Sequence, residues 1–321
     1  MKFYSIVIPV FNRPIEIDEL LHSLTKQTFT NFEVIIVEDG SSEKCDTIID
    51  KYREKLDIQY FFKPNSGQGF SRNYGFERAK GDYYIVFDSD CLIPPHYFTA
   101  VEKALTEKKL DAYGGPDKAH PSFSIIQKAI SYAMTSPFTT GGIRGSKKHV
   151  GTFHPRSFNM GISKAVFEKT KGYIIPFKGE DIEFSIRIIK NGFKTGLIEN
   201  AYVYHKRRTS LAQFYKQLHF FGTARINVAR FFPKELKLIH ALPAFFVIGF
   251  IVYLLLPIFN FTLFKLATFI LVIYYGAIFI DATMKYKSIR VGLTSIATSF
   301  VQLTGYGIGF LKELWVKIFD K

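Results

Sequence analysis

The sequence lacks several features that would assign its class at once. Its 321 residues include only two cysteines, Cys45 and Cys91, which form neither a Cys-x-x-Cys pair nor a cysteine–histidine cluster. A disulfide scaffold and a zinc-finger site are therefore excluded, and reduced, packed thiols are expected. The glycine-rich stretch 67–75 lacks the Gly-Lys-Ser/Thr of a P-loop and the glycine spacing of a dinucleotide-binding fingerprint.

Acidic residues are scarce in the last third of the chain. Residues 201–321 carry 15 Lys and Arg against 4 Asp and Glu, whereas residues 1–200 carry 27 against 24. This asymmetry indicates a phosphate-rich partner, either nucleic acid or an anionic membrane. Residues 205–237, with eight basic side chains and one acid among aromatics and leucines, directly precede a long apolar run. That position favours a pair of interfacial helices on anionic membrane lipids, with no nucleic-acid partner.

Charged residues are almost absent from three long apolar runs. Residues 241–259 carry no charge, and residues 261–280 carry one, Lys265, near an end of the run. Because about 20 mainly apolar residues cross a bilayer, both runs are predicted to span a membrane. Residues 291–311 are uncharged but more polar and form a third candidate span, whose GYGIG sequence permits close helix packing. Core helices of a soluble protein are the alternative, but little chain remains to cover them.

The loop after the second run is basic. Lys285, Lys287 and Arg290 fall within six positions, and the positive-inside rule places such a loop in the cytoplasm. Two spans would put the domain before them on the same side of the membrane as this loop, in the cytoplasm. The N-terminal apolar run is too short for a signal peptide, which agrees with a cytoplasmic domain. We therefore expect a multi-pass protein of the plasma membrane or cell inner membrane. Its predicted regions are a cytoplasmic domain (1–204), a basic interfacial segment (205–240) and a transmembrane region (241–321).

Short apolar runs alternate with helical patterns upstream of residue 205. The predicted strands are 3–10, 32–42, 58–64 and 83–88, and the predicted helices lie within 14–27, 42–56 and 69–81. The strand runs are continuously apolar, as in strands that are covered on both faces. The alternation therefore predicts an α/β fold with a mostly parallel central sheet flanked by helices.

Polar side chains lie at or just after the carboxyl ends of three of these strands. They are Asn12 and Arg13, Glu38 and Asp39, and Asp88 and Asp90. Ligands of open α/β sheets bind at the carboxyl ends of the strands. Asp88 and Asp90 offer two carboxylates on one turn, the ligand type that Mg²⁺ and Mn²⁺ prefer, although an isolated Asp-x-Asp is frequent by chance.

Five segments occur in the order known from one enzyme family. They are SIVIPVFNRP, EVIIVEDGSS, SGQGFSRNYGFERAKGDYYIVFDSD, FNMGISKAVFEKTKGY and GEDIEFSIRIIKNGF. Over residues 3–205 the chain resembles the family 2 glycosyltransferases, which have a Rossmann-like GT-A fold. The resemblance implies inverting, metal-dependent transfer of one sugar from a nucleotide sugar, most often a UDP sugar, to an acceptor.

The resemblance also implies a role for each matching residue. Asp88 and Asp90 match the Asp-x-Asp motif that holds Mg²⁺ or Mn²⁺ against the diphosphate, and His205 matches a histidine that contacts metal or phosphate in some relatives. Asp181 matches the catalytic base, which takes the proton of the attacking hydroxyl, and Glu180 either shares this role or orients the acceptor. The residues expected to bind the nucleotide sugar are Pro9, Asn12, Arg13, Glu38, Asp39, Gly67, Arg72, Asp88 and Asn159.

For two of the residues expected to bind the nucleotide sugar, the resemblance implies a particular contact. Arg72 is expected to contact a phosphate, and Asn159 a sugar hydroxyl. The acidic pair departs from the family, which usually has two aspartates where this chain has Glu38 and Asp39. Which of the two contacts the base therefore stays open.

Several acceptors are compatible with these motifs. A lipid-linked acceptor of exopolysaccharide or surface-glycan synthesis fits the membrane tail, and polyprenyl phosphate is an alternative that needs no base. A processive synthase is disfavoured, because Leu314 precedes Trp315 and the Gln-x-x-Arg-Trp motif is absent. A membrane-anchored scaffold with an inactive transferase domain is disfavoured by the intact Asp88, Asp90 and Asp181.

Overall fold

The computed structural model describes residues 2–140 and 153–319, which form two compact units. The first unit contains residues 2–120 and 153–206, and the second contains residues 121–140 and 207–319. The first unit thus ends close to the predicted limit at residue 204. Residues 121–140 lie outside it, although the sequence placed them in the N-terminal domain.

Ten strands form two sheets in the first unit. They are β1 (Tyr4–Val10), β2 (Phe32–Asp39), β3 (Ile58–Lys63), β4 (Tyr83–Phe87), β5 (Cys91–Leu92), β6 (Ala112–Gly114), β7 (Asp117–Lys118), β8 (Asn159–Ser163), β9 (Thr195–Leu197) and β10 (Val203–His205). The large sheet has the order β3-β2-β1-β4-β8-β6-β9, and the small sheet has the order β5-β10-β7. Within the large sheet β8 alone runs antiparallel to its neighbours. The predicted α/β class is confirmed.

Helices cover the large sheet and form the second unit. Those of the first unit are α1 (Pro14–Leu24), α2 (Asp46–Asp50), α3 (Gln68–Phe76), α4 (Tyr97–Lys108), α7 (Lys164–Thr170) and α8 (Glu180–Lys190). Those of the second unit are α5 (Ile125–Thr135), α6 (Pro137–Thr140), α9 (Leu211–Phe231), α10 (Leu242–Phe259), α11 (Phe261–Tyr286) and α12 (Ile289–Phe319). Successive side chains of a strand point to opposite faces, so Ile6 and Val7 of β1 belong to separate apolar cores. Burial on both faces explains the continuously apolar strands.

The strand register aligns the polar strand ends along one edge of the large sheet. Val10 of β1 lies opposite Glu38 of β2, and Val7 of β1 lies opposite Val86 of β4. Residues that follow β1, β2 and β4 therefore meet at the same edge, where α/β proteins bind ligands.

The basic segment contains one long helix, and the predicted pair of interfacial helices is wrong. Helix α9 begins after Ser210, whose hydroxyl accepts the backbone N–H of Gln213. Beyond Phe231 the chain forms two short 3₁₀ turns, Pro233–Glu235 and Leu238–Ala241. Pro233 has no N–H to continue a helix. One face of α9 is buried, including Phe214 and Leu218, which pack with α5.

Glycines allow α12 to approach two other helices closely. A Cβ atom added to Gly309 would lie 2.1 Å from the carbonyl oxygen of His219 in α9. One added to Gly307 would lie 2.3 Å from the carbonyl oxygen of Pro243 in α10. No side chain fits at such distances, so the packing function expected for the GYGIG sequence is confirmed.

Replacing Gly309 with Ala is expected to destabilise the second unit by about 1–3 kcal/mol, because the new methyl group overlaps the α9 backbone. The measurement is the midpoint of thermal unfolding of the full chain in detergent. Gly249→Ala is the matched control, since a Cβ atom there meets nothing within 4 Å. Equal midpoints for the two variants would contradict the close packing of α9 and α12.

Two helices of the described chain are long and apolar enough to cross a membrane. They are Leu238–Phe259 and Phe261–Tyr286, which contain the first two predicted spans. Within the most apolar 18-residue stretch of each helix, only 11% and 6% of the residues are buried in the protein. The two helices are therefore not core helices of the second unit. This exposed apolar surface indicates association with a membrane.

The third predicted run differs from these two helices. Residues 291–311 lie within α12, which is not among the apolar helices found in residues 2–140 and 153–319. Its polar residues Ser295, Thr298 and Ser299 are fully buried, and the Thr298 hydroxyl donates to the carbonyl oxygen of Ala129 in α5 at 3.0 Å. Helix α12 therefore packs against protein along this face.

Candidate active site

Asp88, Asp90 and His205 come together at the polar edge of the sheet. The small sheet produces this arrangement, because β10 pairs antiparallel with β5 and places His205 opposite Cys91. The His205 Nε2 atom lies 2.9 Å from Asp90 Oδ1 and 4.0 Å from Asp88 Oδ2. Arg13 donates from Nη1 to Asp90 Oδ2 at 2.7 Å. The three residues predicted to hold a metal are thus neighbours.

This donor set fits a hard divalent cation. Ligand atoms of Asp90, Cys91 and His205 all lie within 4.8 Å of one another. Burial raises the pKa of the Cys91 thiol well above its ordinary value, so the thiol stays protonated and is a poor ligand. Asp90 and His205 remain from this group, and Asp88, whose Oδ2 atom lies 4.0 Å from His205 Nε2, adds a second carboxylate. Carboxylates are the ligands that Mg²⁺ and Mn²⁺ prefer. Asp88, Asp90 and His205 are the residues that would hold such an ion.

Arg72 occupies a different position from the one expected. Its side chain is 1% exposed and donates to Asp88 Oδ1 at 2.9 Å and to Glu180 Oε1 at 3.0 Å. The same Glu180 oxygen accepts a hydrogen bond from Gln68. Arg72 is therefore a buried link between the Asp-x-Asp turn and the start of α8. The phosphate contact expected from the sequence stays a prediction.

Arg72→Met is expected to destabilise the chain by about 3–5 kcal/mol, because it leaves Glu180 buried without its cation. Thermal or denaturant unfolding of the full chain measures the change. Arg53→Met is the control, since Arg53 pairs with Asp50 on the surface and such exposed pairs contribute less than about 1 kcal/mol. An Arg72 variant as stable as the control would contradict the bridging role.

The two acids at the start of α8 have different surroundings. Glu180 is 4% exposed, and burial followed by the nearby Asp181 charge raises its pKa. Asp181 accepts from Arg156 Nε at 2.6 Å and from the Ile182 N–H at 2.8 Å. Burial alone would raise the Asp181 pKa, but the Arg156 guanidinium outweighs it and lowers that pKa. Asp181, whose side chain is 15% exposed, is thus the ionised and more accessible carboxylate.

The acidic pair after β2 is held by protein contacts. Glu38 Oε2 is fully buried and accepts from the Cys45 N–H at 3.1 Å and from the Tyr60 hydroxyl. Asp39 pairs with Lys63 and accepts the Gly67 N–H at 2.9 Å. Glu38 therefore points toward α2, whereas Asp39 shapes the loop before α3.

Asn12 and Gly67 support the loops of this edge through unusual backbone conformations. Asn12 has φ +52°, and its side-chain oxygen accepts the N–H groups of Ser42 and Glu43. These contacts place residues 42 and 43 in a loop, so α2 begins later than the predicted helix 42–56, and it also ends earlier, at Asp50. Gly67 has φ +92°, and a Cβ atom there would lie 2.7 Å from Pro176 Cβ, in the loop that leads to α8. Pro9 lies in β1 opposite Val37.

Asn159 lies in the core rather than at an open pocket. It is fully buried, its oxygen accepts from Tyr97 Oη at 2.6 Å, and its amide donates to the Ala201 carbonyl at 2.8 Å. Both ends of the side chain are thus used within the protein. These contacts join β8 to α4 and to the residues before β10. The contact with a sugar hydroxyl stays a prediction.

Sequence reasoning missed one residue of the site. Arg156, the partner of Asp181, belongs to none of the recognised motifs. The pairing of Arg156 with Asp181 had no signal in the sequence.

Comparison with known sequences identifies relatives. The profile of the family described as Glycosyl transferase family 2 matches residues 5–170, just over half of the chain. An uncharacterized glycosyltransferase of Rickettsia typhi is 41% identical over 92 residues, 29% of this chain and 28% of that protein. The poly(ribitol-phosphate) β-N-acetylglucosaminyltransferase TarS of Staphylococcus aureus is 42% identical over 94 residues, 28% of this chain and 16% of TarS. The matches thus cover less than a third of these relatives.

Solved structures share the fold. The mannosyltransferase PcManGT of Pyrobaculum calidifontis, in complex with GDP-Man and Mn²⁺, has a TM-score of 0.61 at 15% identity and covers 98% of this chain and 88% of its own. Residues 1–349 of TarS, in complex with UDP-GlcNAc, have a TM-score of 0.51 at 19% identity and cover 98% and 92%. With the family match, the ordered motifs and the carboxylate-lined sheet edge, these findings show that the chain belongs to glycosyltransferase family 2 and has a GT-A fold.

Proposed function

We propose that the protein transfers one sugar, with inversion, from a UDP sugar to a hydroxyl of a lipid-linked acceptor, with the aid of a divalent cation. The observation that carries this proposal is the position of the Asp181 carboxylate in the first turn of α8, where the helix N-terminus and the contact with Arg156 both favour its negative charge. A hydroxyl acceptor needs such a base, whereas polyprenyl phosphate does not. The named relative TarS, with a phosphate-containing polyol acceptor, is compatible with a hydroxyl acceptor.

Each residue of the site has a separate role in the proposed reaction. The acceptor oxygen attacks the anomeric carbon, the bond from that carbon to the diphosphate breaks, and Asp181 takes the acceptor proton. Glu180 is too deeply buried to do this, and its contacts with Arg72 and Gln68 hold the start of α8 in place. Mg²⁺ or Mn²⁺ at Asp88, Asp90 and His205 would neutralise charge on the leaving diphosphate. PcManGT with Mn²⁺ supports a cation in this fold.

The apolar helices support an acceptor at the membrane. Few residues of helices α10 and α11 are buried within the described protein, and the basic residues 285–290 lie between the last turn of α11 and the first of α12. We place this basic end and the sheet-containing unit in the cytoplasm, with residues 205–240 at the membrane surface and residues 241–286 within the membrane. An acceptor held in that membrane is then anchored by lipid.

The test is a panel of UDP, GDP and dTDP sugars offered to the purified full chain with membrane lipid extract. We expect one UDP sugar to be consumed only with Mg²⁺ or Mn²⁺, and mass spectrometry to show one added hexose-type residue on a lipid. Products with several added sugars would contradict single transfer. Activity unaffected by a chelator would contradict the cation, and a product bonded directly to a lipid phosphate would contradict the hydroxyl acceptor.

A further inference from the structure

Arg156 holds Asp181 with only part of its guanidinium group. The contact uses Nε, which donates to Asp181 Oδ2 at 2.6 Å. The two terminal amino groups form no hydrogen bond or ion pair within residues 2–140 and 153–319, and neither is a buried polar atom without a partner. The side chain is 31% exposed. Arg156 therefore presents a pair of unused donors to solvent, directly beside the proposed base.

Arg72 shows what a purely structural arginine at this site is like. It is 1% exposed and uses both terminal amino groups, one on Asp88 and one on Glu180. Each acid at the start of α8 thus has its own arginine, but only the partner of Asp181 keeps donors available. Two parallel N–H groups of a guanidinium match the spacing of two phosphate or carboxylate oxygens, which gives such an arginine its preference for these anions.

We propose that Arg156 binds a phosphate ester of the acceptor, close to the hydroxyl that receives the sugar. This inference rests on the proposed function and adds the chemical class of the acceptor. An anion on the terminal amino groups would lie on the order of 5 Å from the Asp181 carboxylate, given ordinary hydrogen-bond lengths. A hydroxyl a few bonds away from that phosphate then reaches Asp181.

Acceptor binding at Arg156 would also affect the chemical step. A phosphate offsets the positive charge that Arg156 directs at Asp181, so the carboxylate holds a proton more strongly once the acceptor is present. In the step itself the acceptor O–H proton passes to Asp181, the new carbon–oxygen bond forms, and the electron pair of the broken bond leaves with the nucleoside diphosphate. The acceptor phosphate is not consumed. Arg156 thus links recognition of the acceptor to the strength of the base.

The experiment compares two amphiphiles with the same chain, dodecyl phosphate and dodecyl β-glucoside, as ligands of the full-length protein with UDP present. Wild type is expected to bind the phosphate at least about 10-fold more tightly, because hydrogen bonds to charged groups contribute about 1.5–3 kcal/mol. Arg156→Gln should remove this preference, and Arg156→Lys should keep part of it by charge alone. Arg78→Gln, a variant of a similarly exposed arginine outside the site, should bind as wild type does.

Three results would overturn the inference. They are an unchanged preference in Arg156→Gln, an equal loss for both amphiphiles, and loss of UDP affinity in both Arg156 variants, which would assign the guanidinium to the donor diphosphate and not to the acceptor. Inhibition of sugar transfer by dodecyl phosphate but not by sn-glycerol 3-phosphate supports a lipid phosphate as the ligand of Arg156. Inhibition of sugar transfer by both compounds supports a phosphate ester without a lipid requirement. If wild type consumes no nucleotide sugar, the proposed function fails, whereas the Arg156-dependent binding of phosphate is still decided.

Discussion

Asp181→Asn is expected to lower kcat by about 10²–10⁴-fold, the range that a positioned general base contributes. The amide has nearly the same shape as the carboxylate but cannot take the acceptor proton. It also cannot form the charge-assisted contact with Arg156. Binding of the donor should stay within about threefold, since residues on other elements line the Asp-x-Asp turn. Initial rates with the UDP sugar found by the panel, together with UDP titration, measure both quantities.

Glu180→Gln is the control for this prediction, because it changes the neighbouring acid without removing the proposed base. We expect it to reduce stability through Arg72 and to keep more activity than Asp181→Asn. The pH profile gives a second check. The pKa of Asp181 is lowered in the free protein, so the carboxylate remains ionised to a pH below the ordinary value for aspartate. The value of kcat/KM, which reports the free enzyme, should therefore fall only as the pH drops through that lowered pKa. If Asp181→Asn kept wild-type turnover and Glu180→Gln lost it, the roles of the two acids would be exchanged.

The sheet and its ligand-binding edge were predictable because they depend on local patterns. Continuous apolar runs predict buried parallel strands, and the rule that ligands bind at carboxyl ends of strands applies to any such sheet. The observed β1, β2, β3 and β4 begin and end within a few residues of the predicted runs. Residues directly after these strands, such as Asp88 and Asp90, were therefore placed correctly at the edge.

The partners of the site residues could not be predicted, because pairing and burial depend on contacts distant in sequence. Arg72 and Glu180 are 108 positions apart, and nothing near either residue indicates that the arginine is buried. Asn159 lies within a segment that matches the family's sugar pocket, yet its side chain points into the core toward Tyr97. Arg156 lies 25 positions before Asp181 and outside every motif. A motif thus indicates which residues matter, but not which of them face the substrate.

The second unit shows the same limit for helices. Apolar length predicts α10 and α11, since a run of uncharged residues is a local property. The place of α5 in this unit is not local. Its apolar residues Ile130, Ala133 and Met134 pack with Phe214 and Leu218 of α9, at least 80 positions away. Residues 121–140 therefore belong with helices that follow them much later in the chain.

Asp90→Ala is expected to lower kcat/KM by at least about 100-fold, because a cation that stabilises a leaving diphosphate contributes several kcal/mol in the transition state. Asp90 is the residue that both Arg13 and His205 contact, at 2.7 and 2.9 Å. Removing its carboxylate leaves these two groups without their shared acceptor, and one of the two carboxylates of the cation site is lost. The measurement is the rate at increasing Mn²⁺ concentrations, with Mn²⁺ binding in the presence of UDP followed by electron paramagnetic resonance.

His205→Gln separates loss of a ligand from loss of the Asp90 carboxylate. It keeps a polar side chain on β10 but removes the imidazole, so Mn²⁺ affinity should fall by about 10–100-fold, the range seen when the surroundings of a bound metal are altered. Excess Mn²⁺ should restore most of its activity, whereas Asp90→Ala should not recover. Asp50→Asn, a surface acid paired with Arg53, should leave Mn²⁺ affinity and rate unchanged. Wild-type Mn²⁺ affinity in Asp90→Ala would show that the carboxylate pair balances Arg13 and Arg72 and does not bind a cation.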